Sequence, residues 1–272
     1  MRRRLALGGV VVALALTAAA CGGGGGASDA AVSIKTLQAA VSNTQAAPSS
    51  RFVMDMDVNA SGQSVTIHGE GIVAGDGKTG QITLSLSSLG SIEERIVDGT
   101  VYANFGDLPF ASKLGTTPWV RVSLDELQQR SGTDFGGLAD QAQSTGPQQG
   151  LEYLQGLSGD VVKVGDDTVA GQHATHYRAS IDYAKVAAKL PDSAASQRDE
   201  LSKLGKVPAD VWINDDDRVV KMHFVVDAGS LGSSAGTAEL TMEITDFGVP
   251  VDVQAPPADQ TTDLSSLTGV ST

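Results

Sequence analysis

The sequence predicts an α+β domain, a large antiparallel β-sheet packed on a few short helices. Three observations predict it. Apolar and polar residues alternate, as where Phe52, Met54, Met56 and Val58 are set against Val53, Asp55, Asp57 and Asn59. A period of two gives a strand one apolar and one largely polar face. Turn signals such as Gly75-Asp76-Gly77-Lys78 and Asp98-Gly99 separate the alternating stretches, so consecutive strands read as hairpins. Helical spacing is confined to short segments.

The chain opens on a leader. Arg2, Arg3 and Arg4 precede an uncharged apolar run from Leu5 to Leu16, then Thr17-Ala18-Ala19-Ala20 and Cys21, the sole cysteine. A basic start, a short apolar run and small residues make a signal peptide, assigned to 1–20. The run is too short for a permanent span, which needs ~20 apolar residues. Small residues before a cysteine resemble a lipobox, in which the thiol of Cys21 receives diacylglycerol. The match departs at Ala18, where leucine is usual. Two acyl chains anchor a protein stably where one holds it marginally. Gly22 to Gly26 then supplies a flexible tether, so 21–30 is the lipidated cysteine and its linker.

The domain is assigned to 31–254. Ser33 caps a helix with Ile34, Leu37 and Val41 on one stripe, stopped at Pro48. The strand of Phe52 to Val58 follows, then Val65 and Ile67, then Ile82, Leu84 and Leu86. Ile92 to Val97 and Val101 to Phe105 flank Asp98-Gly99, and Trp119 to Val122 forms another strand. Ser123 and Glu126 form a capping box for a brief helix. Residues 131–150, rich in Gly, Gln and Ser, read as a flexible loop and a candidate lid. Leu151, Leu154 and Leu157 suggest a short helix. Val161 to Val164 is a strand before a turn at Gly165-Asp166-Asp167, and His176 to Tyr183 is another. Two helical stretches, 184–190 and 192–204, are parted by Pro191. Val211 to Ile213 meets Val219 to Val226 across the turn at 214–218, and Leu240, Met242 and Ile244 mark a last strand. The tail, 255–272, is polar and reads as disordered.

Removing the leader's three arginines leaves 16 of 19 basic residues against 32 acidic ones, a formal charge of −16. That excess argues against nucleic acid and against electrostatic docking on anionic lipid. Candidate chemistry is thin. His173 and His176 form H-x-x-H, but residues three apart on a strand point to opposite faces, so no metal site is expected. His68 and His223 are isolated. Asp215-Asp216-Asp217 lacks the ligand spacing of a calcium loop and reads as a solvated turn. Glu93 and Glu94 fall on opposite faces and make no acid–base pair. There is no P-loop, and no G-x-G-x-x-G in a strand-to-helix context. The expectation is a monomer with no enzymatic activity and no cofactor.

An apolar sheet face must be covered. Phe52, Met54, Met56, Val58, Ile82, Leu84 and Leu86 supply that face, while the available helices are few and short. Either the cover is complete and the core ordinary, or a hollow lined by these seven residues remains.

Asp98-Gly99-Thr100-Val101-Tyr102, Thr175-His176-Tyr177-Arg178, Pro208-Ala209-Asp210-Val211-Trp212-Ile213 and Asp246-Phe247-Gly248 carry a resemblance. With the lipobox and the order of elements, they make residues 31–254 similar to the actinobacterial LppX/LprG-type lipoproteins, relatives in fold of the LolA/LolB carriers. The resemblance implies a curved half-barrel sheet wrapped against helices. It also implies an apolar cavity for acyl chains of envelope lipids, no cofactor, and attachment to the extracytoplasmic face of the cell membrane. Only Cys21 transfers as a functional position. Two functions stay open: a module that holds or carries a lipid or glycolipid, and a membrane-tethered interaction protein with a filled core.

Overall fold

The computed structural model describes residues 34–60, 62–87, 89–106, 108, 111, 117–123, 147–190, 195–227 and 236–267. The leader, Cys21, the glycine tether, the brief helix expected after Ser123 and most of 131–150 lie outside them.

In chain order the described elements are α1 (Ile34–Gln45), β1 (Ser49–Ala60), β2 (Gln63–Ala74), β3 (Gly80–Leu86), β4 (Gly90–Val97), β5 (Thr100–Asn104), β6 (Trp119–Ser123) and α2 (Pro147–Leu154). After these come β7 (Leu157–Val169), β8 (Gln172–Asp182), α3 (Tyr183–Ala187), α4 (Ala195–Lys203), β9 (Lys206–Asn214), β10 (Val219–Asp227), β11 (Gly236–Phe247), β12 (Thr261–Asp263) and α5 (Leu264–Leu267). The strands make one open, curved sheet in the order β12-β6-β5-β4-β3-β2-β1-β11-β10-β9-β8-β7. Two meanders, β1–β6 and β7–β11, are joined through the antiparallel pair β1–β11. Only β12, running parallel to β6, breaks the antiparallel pattern among the described strands. The α+β class holds.

Helices cover one face. Leu37, Ala40, Val41 and Thr44 of α1 are buried, and the helix packs on β7, β10 and α2. The main core gathers Leu37 and Val41 with Phe52, Ile82, Leu151, Leu154, Ile181, Val211, Met222 and Met242. A smaller cluster on the other face joins Val169, Ala174, Trp212 and Val220, with Phe247 packed against it.

A buried hydroxyl pins α1 to the sheet. Thr44 Oγ1 donates to the Ala40 carbonyl at 2.8 Å and accepts the Val219 N–H at 2.8 Å. Thr44→Val keeps the shape and leaves that N–H without its acceptor. A loss of ~1–3 kcal/mol is expected, read as a lower denaturant midpoint at unchanged slope.

Several sequence boundaries need correction. Leu157, read as helical, begins β7, and the turn expected at 165–167 lies inside that strand; Gln172 opens the next. Two register breaks in the β7–β8 pairing, at Ser158/Val162 and Lys163/Gly165, hide its alternation. β9 starts at Lys206, before Pro208. Proline, which has no N–H to donate, is in register with Ser180 of β8 and is tolerated because the β9–β10 ladder on its other side has ended at the Ala209–Phe224 pair. Pro147–Gly150, the end of the expected loop, belong to α2.

The tail reading is also corrected. From Gly248, whose N–H donates to the Ser49 carbonyl, the chain passes Arg95, whose Nη1 donates to the Gln254 carbonyl, and reaches β6. There Thr261–Asp263 pair with Trp119–Arg121, and Arg121 makes an ion pair with Asp263. The open backbone edge of β6 and one charge pair fix a Thr-Thr-Asp strand that has no apolar alternation to announce it.

Candidate functional site

Pairing register fixes which residues share the helix-covered face. Directly opposed residues lie on one side, so Phe52 stands in a row with Ile244, Gly71 and Ile82. The next row is Leu84, Gly69, Met54, Met242, Met222 and Val211. The third is Leu86, Ile67, Met56, Leu240, Phe224 and Ala209, and Val65, Val58, Ala238 and Val226 form a fourth. The seven residues named from sequence therefore share one face.

Their cover is uneven. Phe52 and Ile82 are 1% exposed and Met54 9%, all within the main core. Leu84 is partly buried and packed against that core. Met56, Val58 and Leu86 are half-buried and outside the core cluster. The face thus runs from a packed end under α1 and α2 to a less covered end towards the β1–β2 and β3–β4 turns. Glycines shape the packed end. A Cβ on Gly71 would sit 2.9 Å from the Phe52 ring and 2.7 Å from the Gln81 carbonyl, and one on Gly69 would sit 3.0 Å from Leu84 Cδ2. The large side chains lie across β2 where it has none.

The roof is held by aromatic and aliphatic contacts. Tyr153 of α2 meets Phe224 edge-on at 6.4 Å and Tyr183 of α3 at 5.7 Å. Leu151 and Leu154 are buried beside them. Burial holds the phenols of both tyrosines above the ordinary range, helped by Glu152 for Tyr153 and by Tyr153 for Tyr183. A raised folded-state pKa means the fold favours the neutral phenol. Its contribution is whole below the unfolded value of about 10 and is lost as pH rises beyond that. Stability should fall on that alkaline side, and Tyr153→Phe with Tyr183→Phe should flatten the fall; urea midpoints across alkaline pH check this.

Residues missed in the sequence also belong here. Met222, Leu240 and Ile67 share the face by strand parity alone. Glu94 is 6% exposed and in register between Ile82 and Ala103, a buried carboxylate on the covered side. Its parity with Ile92 and Ile96 is the signal that could have found it. Glu93, on the other face, accepts from Gln81 and Arg95.

The opposite face is a polar ladder. His176 stacks on Trp212 with centroids 4.2 Å apart and shares a 2.6 Å hydrogen bond with Asp210. Arg178 donates to the same carboxylate. The Thr168 backbone N–H and the Trp212 indole hold the Asp167 carboxyl below the usual carboxylate range. His173 instead meets Asp215, His68 meets Asp55 and His223 meets Thr241. The H-x-x-H pair is thus split between separate partners, and 214–218 is a turn closed by Asn214 Oδ1 accepting from the backbone of Asp216 and Arg218.

No protein-family model matches the chain. An uncharacterized 31.2 kDa protein of Streptomyces griseus, from the rplA–rplJ intergenic region, is 32% identical over 184 residues, 65% of this chain and 58% of that protein. A Streptomyces coelicolor protein named as a lipoprotein is 28% identical over 203 residues, 71% of this chain and 62% of that one. The chain thus spans about three fifths of the curated relatives it matches. The crystal structure of the Mycobacterium tuberculosis lipoprotein LppX aligns over 81% of this chain and 97% of that one, at 15% identity and TM-score 0.47. The chain is similar to actinobacterial lipoproteins of the LppX type.

Proposed function

We propose that this protein is an envelope lipoprotein that binds, and carries, the acyl chains of a lipid or glycolipid between its sheet and helices. The domain is held on the extracytoplasmic face of the cell membrane by lipid on Cys21. It works as a monomer, and binding rather than catalysis is its activity. One observation carries the reading: the apolar face is longer than its cover, with Phe52 and Ile82 sealed while Met56, Val58 and Leu86 on the same face are half-buried. An acyl chain laid along those rows would bury the remaining apolar area, at ~25 cal/mol per Å² removed from water. The lipoprotein name of the Streptomyces coelicolor relative supports the location.

Native mass spectrometry of the mature protein purified from its own host tests the proposal. A retained lipid is expected, and Leu86→Glu should reduce its occupancy while leaving the thermal midpoint nearly unchanged, since the position is half-buried. Protein of bare mass from the native membrane, and unchanged occupancy in the variant, would remove the proposal.

A further inference from the structure

The four methionines of the mature chain are Met54, Met56, Met222 and Met242. Three of them stand side by side. Met54 of β1 is paired with Met242 of β11, and Met242 with Met222 of β10. They are 9%, 2% and 0% exposed. Directly above the row sits Gly150 of α2. A Cβ built there would lie 2.8 Å from Met222 Sδ, 3.3 Å from its ε-methyl and 3.6 Å from Met242 Sδ. At the other end, a Cβ on Gly69 would lie 3.1 Å from the Met54 ε-methyl. At this point the roof meets the sheet through thioethers and a helical residue without a side chain.

Neither choice favours a rigid core. Glycine inside a helix destabilises it relative to alanine, and methionine, unbranched with three rotatable bonds, specifies packing poorly. Leucine, isoleucine and valine fill the neighbouring core positions. What the pairing gives is volume that can be redistributed: each methionine can change rotamer without moving the backbone, and the close approach at Gly150 can open without losing a side-chain interlock. We infer that the row Met54–Met242–Met222 beneath Gly150 is a yielding floor that admits an unbranched acyl chain and sets tolerance for its length. This rests on the lipid-binding reading above and goes further by assigning the residues that decide which chains fit. The half-buried Met56 in the adjoining row continues the floor towards the less covered end.

The test uses the mature protein with methionine ε-methyl groups carrying carbon-13, and lauric, palmitic and stearic acids as probes. Binding is followed by native mass spectrometry and by methyl NMR. The wild type should bind all three acids with affinities within a few-fold, and the Met54, Met222 and Met242 methyl signals should move together. The triple variant Met54→Leu/Met222→Leu/Met242→Leu keeps side-chain volume and should keep the fold. It should retain lauric acid and lose on the order of tenfold for stearic acid, about one decade in Kd. If the triple variant does not fold, Met242→Leu alone should show the same direction. Binding of all three acids with unmoved methyl signals, or a leucine variant with the wild-type length profile, overturns the yielding floor and leaves the lipid-binding reading standing. No acid bound by the wild type overturns both.

Discussion

Phe52→Ala is expected to cost ~3–5 kcal/mol, whereas Leu86→Ala, on the same face, should cost far less. The large value is that of a fully buried aromatic truncated without collapse. Phe52 is 1% exposed and its ring lies across Gly71, within 2.9 Å of where a Cβ would stand. Gly71 has no side chain to fall into the vacancy, and Ile82 and Ile244 beside it are themselves sealed at 1%. Leu86 is half-buried near a turn, so truncation removes little contact and leaves no enclosed cavity. The two variants measure the gradient along the face on which lipid binding is proposed. Urea titrations of both would check it: similar losses would mean the face is evenly packed, and the half-buried end would no longer be a candidate for ligand contact.

Cys21→Ser should move the protein from the membrane to the soluble fraction almost completely. The sole thiol is the proposed attachment point, and a diacylglycerol unit anchors because each buried CH₂ contributes ~0.8 kcal/mol over two chains. Among the described residues no helix is long and apolar enough to cross a membrane, and the acidic excess disfavours adsorption on anionic headgroups. Fractionation after a high-salt wash checks the result. A serine variant that stays with the membrane would show that attachment does not depend on the cysteine.

The fold class was legible because local chemistry writes it in short stretches of chain. Alternation at 52–58 and 82–86 placed all seven named residues on one face, because a strand's period of two is a property of the backbone. The β7 bulges, the Pro208 strand start and the β12 addition were not legible, since each depends on a partner far along the chain. A bulge is defined against the opposing strand, Pro208 is acceptable only where the neighbouring ladder has ended, and Thr261–Asp263 is a strand only because β6 offers an open edge.

Alternation and turn residues are enough to establish the antiparallel, one-sided character of the sheet and the identity of the residues on its apolar side. Which of them are sealed and which are half-open depends on the folded chain. Met54, Met56 and Val58 have the same alternation and similar hydrophobicity, yet Met54 falls under the roof and the other two beyond it. The difference is set by where α1 and α2 land on the sheet. That position follows from contacts such as Thr44 with Val219 and Gly150 over Met222, which join segments that no local pattern connects.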